Sequence, residues 1–319
     1  MPRDQLCLSL KGPAPVRKNS LLKIVSNQKY LIAMTIPGLL WIFVFQYLPL
    51  YGIVVTFQEY DITRGFFRSD WIGFDNYREL FTDSFFITSL KSTLLISVLK
   101  IAVGFPAPIV FAVLLNELHN QKFKSLVQSF TYLPYFLSWV FVVGFTYNFF
   151  AADGAVNKLL SVAGLAEAPV IFMASNGWFL VLIILTEVWK GFGWNSIIYL
   201  ANMTTIDPQI YESAIVDGAN RFRRMVSITI PMLKPTIVLM LILSISNLMN
   251  SNFDQMFLMS NPLVQDISDV LSVYTYKTGI LTGRYSYAST IGLFISVVSL
   301  VLLQSANFIS RRLTGESIY

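Results

Sequence analysis

Glu187, Lys190 and Trp194 recur at i, i+3 and i+7 within an apolar run, so a helix there carries them on one face. A second polar set, Asn247, Asn250 and Asp254, with Ser244 and Ser251 nearby, falls in a later run. Trp189, Trp194 and Phe253 place flat aromatic faces beside them. Such groups in a greasy setting suit hydrogen bonding and ring stacking, the chemistry of holding a polar solute. Lys190 lies about twelve residues into its run, ~18 Å along a helix and close to mid-bilayer. Polar groups there are costly and tend to line cavities. Two roles fit them. One is the wall of a translocation cavity; the other is helix-to-helix bonding, with Glu187 paired to Lys190 and the asparagines bridging neighbours. Lys100, about nine residues into another run, suits an acidic solute or a carbonyl, whereas Lys91 fits snorkelling to the outer surface.

Reactive chemistry is scarce. His119, within NELHNQK, is the only histidine, and an interfacial, solvated position suits it better than proton handling. Cys7 is the only cysteine, so an internal disulfide is excluded and a metal site has few ligands to draw on. No Gly is followed directly by Lys, so the phosphate-binding GxxxxGK[ST] loop is missing and any ATP must be bound by another chain. No Ser-His-Asp, Cys-His or zinc-ligand arrangement stands out. The chain reads as a binding and moving part, not as an enzyme, with no metal or cofactor of its own.

The elements that must position these residues are membrane helices. Of 319 residues, 55% are hydrophobic and 13% charged, about half the charge of a soluble domain. The apolar residues gather into six runs, Leu31–Phe57, Leu90–Leu115, Phe130–Phe150, Trp178–Met203, Ile237–Leu258 and Ala288–Ile309. Each is near the ~20 residues that cross a bilayer core. Pro37 and Pro49 are expected to bend the first. Fourteen Lys and Arg fall in segments 1–30, 116–129, 204–236 and 310–319, against six on the alternate side. The positive-inside rule then places both termini in the cytoplasm and the acidic loop 58–87 outside. The net charge of +5 suits an anionic leaflet and calls for no nucleic acid. The first run starts too late and is too long for a cleavable signal, and Cys7, with no apolar stretch before it, does not read as a lipid-modified residue.

The segment Tyr211–Pro235 interrupts this pattern on the cytoplasmic side. Asp207 and Pro208 are helix-start signals, and Ile210, Tyr211, Ala214 and Ile215 share a face, which predicts a short amphipathic helix over Ile206–Val216. Gly218 permits a turn. A second short helix is expected over Arg221–Ile228, with Pro231 and Pro235 closing the segment. An amphipathic loop lying on the membrane surface would account for the apolar face, but not for the Glu–Gly–Pro spacing.

Glu212-Ser213-Ala214, Gly218 and Ile228-Thr229-Ile230-Pro231 together resemble the EAA motif of ABC importer permeases, with Ser213 in place of an alanine and Ile230 in place of a leucine. Trp71-Ile72-Gly73-Phe74 with Asn76-Tyr77, Asp217-Gly218-Ala219-Asn220 and the ending Asn307-Phe308-Ile309-Ser310-Arg311-Arg312 are similar to carbohydrate-uptake permeases. The resemblance covers nearly the whole chain and points to permeases importing oligosaccharides or polysaccharide fragments.

It implies an all-α membrane protein with six transmembrane helices, the type I ABC importer permease fold and cytoplasmic coupling helices. The segments would be a tail 1–30, a first helix 31–57, an extracytoplasmic loop 58–89, a permease core 90–309 containing the coupling loop 204–236, and a tail 310–319. The implied partners are a second homologous permease forming a heterodimer, two ATPase subunits using ATP and Mg, an extracytoplasmic solute-binding protein, and the bilayer of a bacterial cytoplasmic membrane. Glu212, Ser213, Ala214, Ile215, Asp217, Gly218, Ile228 and Pro231 would then contact the ATPase, with Ile215 and Val216 as apolar anchors. Glu187, Trp189, Lys190, Trp194, Asn247, Asn250, Phe253 and Asp254 are the candidates for the solute path. A secondary transporter or channel is the alternative, since Glu187, Lys190 and Asp254 could couple ions. Six helices without an evident inverted repeat, and an unexplained cytoplasmic loop, weigh against it. A membrane enzyme acting on lipid-linked sugar lacks a catalytic cluster.

Overall fold

Apolar runs near bilayer length become helices because only a helix satisfies its backbone polar groups within lipid. The computed structural model describes residues 28–315, so most of the tail 1–30 and the last residues of 310–319 lie outside the described residues. Five helical stretches are long and apolar enough to cross a membrane, and a sixth arises if a bent pair counts as one span.

Among the described residues, those up to 54 form one unit and those from 55 another. In the first, α1 (Lys29–Ile42) accommodates Pro37 in its interior, then loosens into a π turn over Phe43–Tyr47 and a 3₁₀ stretch from Leu48 that contains Pro49. In the second unit, the strands β1 (Gln58–Glu59) and β2 (Asp70–Trp71) pair antiparallel with Gln58 opposite Trp71. Asn76, in α2 (Asp75–Thr82), anchors this hairpin by donating to the Thr56 carbonyl at 3.0 Å.

The second span starts at Ser84 instead of Leu90, because Asp83 caps it by accepting from the Phe85 N–H at 2.9 Å. It runs as α3 (Ser84–Gly104) and, across Pro106, as α4 (Pro106–Asn116). The run Phe130–Phe150 is not one helix. α5 (Gln121–Tyr132) ends in a 3₁₀ turn through Pro134, and α6 (Trp139–Phe149) departs at 100°. Pro134 lacks an N–H and Leu137 is extended, which forces the break. After α7 (Ala155–Val162), the fourth span, α8 (Asn176–Met203), agrees with its apolar run to within two residues. α5 lies hard against it at Gly193, where an added Cβ would come within 2.1 Å of the Thr131 carbonyl oxygen.

The fifth span is displaced from the expected Ile237–Leu258. α9 (Pro208–Val216) precedes it, and α10 (Arg221–Arg224), a π turn over Met225–Thr229 and α11 (Ile230–Ser246) form one stretch, Arg221–Ser246. Pro231 and Pro235 therefore sit inside a helix and close nothing. The extra residue of the π turn relieves the clash that Pro231 would otherwise make with the preceding turn. The chain then breaks at 247–252 before α12 (Phe253–Met259). Two short helices follow, α13 (Gln265–Ser268) and α14 (Leu271–Tyr276), and then the last span, α15 (Tyr285–Thr314).

Three apolar clusters hold the spans together. Ile96, Phe179, Ile183 and Met256 join α3, α8 and α12; Phe86, Leu271 and Tyr287 join α3, α14 and α15; Val113, Tyr199 and Leu233 join α4, α8 and α11. A polar clasp reinforces the second. The Asp83 carboxylate accepts from the hydroxyls of Tyr274 and of Tyr287, the latter at 2.7 Å. Burial works against the Asp83 charge, but these phenols and the backbone N–H groups of Phe85 and Phe86 outweigh it and hold the carboxyl below its ordinary value. Burial, and then the bond to Asp83, push the Tyr274 phenol up to about 12. Arg284 lies 4.5 Å over the Tyr287 ring and donates to both carboxylate oxygens of Glu79 at 2.6 and 2.7 Å.

Candidate functional site

α3, α4, α8 and the end of α11 enclose a cavity of about 1030 Å³, at the upper end of the ~300–1,000 Å³ usual for ligand pockets. α3 contributes Ser97 and Lys100, and α8 contributes Glu187, Trp194 and Asn195. The break after α11 contributes Asn247, Asn250, Ser251 and Asn252. Of the expected path residues, Glu187, Trp194, Asn247 and Asn250 meet here.

Lys100 takes the carbonyl of its two alternatives, that of the Gln255 amide, and adds an ion pair. Its ammonium donates to Glu187 Oε2 at 3.2 Å and to Gln255 Oε1 at 2.7 Å. Gln255, fully buried on α12, is locked by its own amide, which donates to the Ile183 carbonyl at 2.8 Å and to Thr186 Oγ1 at 2.9 Å. The network ties three helices and presents an ion pair on the cavity wall. Opposite, the Ser251 hydroxyl lines the cavity while 92% buried (8% exposed) and has no hydrogen-bond partner.

Lys190 does not pair with Glu187 and does not line the cavity. It donates to the carbonyls of Tyr135 and Leu137, both at 2.6 Å, and of Pro134 at 3.3 Å. These are acceptors freed where the α5–α6 pair breaks, and the ammonium replaces the missing helical N–H groups. The rings of Tyr135 and Trp139 lie 5.4 and 5.6 Å away. At 100° per residue, Lys190 stands about 60° around the helix from Glu187, enough for its long side chain to reach a different neighbour. Trp194, between them, lines the cavity and stacks on Tyr135 at 4.7 Å.

The polar face expected in the fifth span does not exist as a face. Asn247 ends α11 with its amide on the Leu243 carbonyl at 3.0 Å, Asn250 lies in the loop, and Asp254 opens α12, exposed and outside the cavity lining. Phe253 packs on Phe257 and Tyr276, at 5.2 and 5.3 Å. Trp189 is 38% exposed and also outside the lining. Ser97, Asn195, Asn252 and Gln255 went unnoticed in the sequence. Ser97 and Lys100 at i, i+3, and Glu187, Gly191 and Asn195 at i, i+4, i+8, carried a helical signal. Gln255 carried none, because its partners come from a helix some 70 residues earlier.

The second assembly of interest is α9. Asp207 caps it, accepting from the Gln209 N–H at 2.9 Å. It ends in a Schellman turn, with Ala219 N–H on the Ala214 carbonyl at 2.9 Å and Gly218 N–H on that of Ile215 at 3.0 Å. Gly218 has φ +77°, a conformation natural only to glycine. Asn220 then caps the next helix by accepting from the Arg223 N–H at 2.8 Å. α9 buries none of its residues; Glu212, Ser213 and Asp217 are exposed, and Ile215 and Val216 are 54% and 87% exposed. Ile228 and Pro231 lie beyond the turn, in the π segment and at the start of α11. Tyr211 and Thr229 share a hydroxyl bond at 3.0 Å, and Asn202 donates to Thr236 at 2.7 Å. The first bond fixes the exposed helix to the fifth span and the second ties the fifth span to the fourth, and both spans wall the cavity.

Spans of bilayer length around a polar cavity, with an exposed helix mounted on one of them, are the parts a membrane transport subunit needs. Residues 104–315 match the model of the family described as binding-protein-dependent transport system inner membrane component, and the chain belongs to that family. It is 39% identical over 94% of its length to protein LplB of Bacillus subtilis (strain 168), also across 94% of that protein. It is 38% identical to the polygalacturonan/rhamnogalacturonan transport system permease protein YteP of the same organism, covering 95% of this chain and 94% of YteP. A solved bacterial ABC transporter involved in the import of the acidic polysaccharide alginate has a chain with a TM-score of 0.86 and 36% identity, covering 93% of this chain and all of that one. The fold is thus that of a type I ABC importer permease.

Proposed function

We propose that this chain is one of two homologous permeases, paired as a heterodimer, in an ATP-driven importer of oligosaccharides or polysaccharide fragments. The observation that carries the reading is α9, an exposed helix tied through Tyr211 to the fifth span, which is itself bonded to the fourth and walls a polar cavity with it. ATP and Mg act on two partner ATPases, and this chain binds no cofactor. An ATPase groove clasping α9 through Glu212 and the apolar Ile215 and Val216 tilts the fourth and fifth spans together, opening the cavity to one side and then the other. Ala214 and Gly218 leave room for close backbone approach. Both termini lie in the cytoplasm by the distribution of Lys and Arg, and a solute-binding protein delivers cargo from outside. The relatives support the cargo class. YteP is a permease for pectic polysaccharides, and the alginate transporter has been solved with an alginate pentasaccharide-bound periplasmic protein.

Purification of the chain from its host is the test. It should bring down an ATPase and a second permease, and Glu212→Ala should leave the complex assembled but lower ATP-driven uptake at least tenfold, the loss of about 1.4 kcal/mol of coupling. Uptake by this chain alone without ATP would sink the reading.

A further inference from the structure

The cavity lining contains two charged side chains, Lys100 and Glu187, and they are paired at 3.2 Å. The members of the pair are not equally available. The Lys100 side chain is 14% exposed and that of Glu187 35%. Lys100 is also held back in the wall by Gln255, whose carbonyl oxygen accepts at 2.7 Å and whose amide is locked to α8. A solute entering the cavity therefore meets the carboxylate first, and with it the neutral amides of Asn195, Asn250 and Asn252. An acidic sugar could reach Lys100 only by displacing Glu187, which would strand a partly buried carboxylate without its counter-ion.

We propose that Glu187, paired with a Lys100 that Gln255 holds in the wall, makes this half of the path selective for uncharged glycans and excludes uronate-bearing ones. This sets the chain apart from the alginate importer it resembles in fold. The inference rests on the reading of the cavity as a glycan path. Lys100 and Gln255 are positioning residues in it; Glu187 and the amides face the solute.

The electrostatic claim is tested without any sugar. In the assembled complex, with Cys7→Ser and cysteine-free partner subunits, a reporter thiol is placed by Gly191→Cys, one helical turn from Glu187, and separately by Asn195→Cys, two turns away. Each is modified by methanethiosulfonates carrying either a trimethylammonium or a sulfonate. The cationic reagent should react faster at Gly191→Cys, and Glu187→Gln should shift the ratio toward the anionic reagent by about tenfold, with a smaller shift at Asn195→Cys. Lys100→Gln should move it the other way. A faster anionic reagent in the Glu187 background, or a ratio indifferent to Glu187→Gln, overturns the proposal.

In proteoliposomes, the wild-type complex should take up neutral oligosaccharides in preference to uronate-bearing ones, and Glu187→Gln should lower that preference. Preferred uptake of uronates by the wild type also overturns it. A complex that moves no glycan defeats the cargo reading instead, and the thiol ratio still decides the charge facing the solute.

Discussion

Lys190 shows how one side chain can be indispensable to the fold while standing beside the site and not in it. A lysine near mid-membrane is a functional candidate by default. Here its ammonium satisfies three main-chain carbonyls exposed by the break at Pro134–Leu137. Lys190→Met keeps most of the side-chain volume but takes the ammonium from the Tyr135 and Leu137 carbonyls, while the Pro134 carbonyl keeps the Leu137 N–H at 3.2 Å, and should destabilise the chain by about 2–4 kcal/mol. Thermal unfolding in detergent measures the loss; an unchanged midpoint would mean that water or lipid serves those carbonyls equally well. Glu187 carries the opposite lesson. Its face was legible from spacing along α8, but its partner was not. Lys100 lies 87 residues away, and the local i, i+3 pairing with Lys190 looked just as reasonable.

Among elements, α9 was the most legible, because its caps are local. Asp207, Pro208 and Gly218 act within a few residues of themselves, and the structure differs from the expected Ile206–Val216 only in where the first turn begins. The helix after it was misjudged. Prolines at 231 and 235 read as terminators, yet a π turn lets the helix pass through them. At Gly218, φ of +77° makes any β-branched residue costly, by about 1–2 kcal/mol. Gly218→Val should therefore displace α9 and abolish recovery of the ATPase with the purified complex, while Gly218→Asn, tolerant of the same conformation, should retain it. Equal recovery with both would show that the turn does not set the position of α9. The third span fails as an element for a different reason. Composition marks Phe130–Phe150 as apolar but cannot register a bend of 100°, whose carbonyls are satisfied from α8.

At the scale of the whole molecule, spans distant in sequence are gathered at two places, the ion-pair network of the cavity and the Asp83 clasp. Asp83 starts α3 and binds tyrosines of α14 and α15, so its charge is worth stability to all three. Its folded pKa lies below the ordinary 3.8. A depressed carboxylate contributes fully above that ordinary value and loses its contribution as pH falls through the folded one. Asp83→Asn should lower the unfolding midpoint at about pH 6 and have a smaller effect at about pH 3, where wild type has lost part of the same stabilisation. A deficit that is constant with pH would assign the clasp to packing and not to charge. The sequence by itself determined the class of molecule. Apolar runs of bilayer length, an interrupting loop with local helix signals, and the lack of a phosphate-binding loop are all features written within short windows. Tertiary structure alone decided which polar groups share the cavity, that Gln255 holds Lys100 while Lys100 pairs with Glu187, and that Lys190 caps a broken helix. Those pairings join residues tens to more than a hundred positions apart, and hydrogen bonds at such separations leave no periodic trace in the chain.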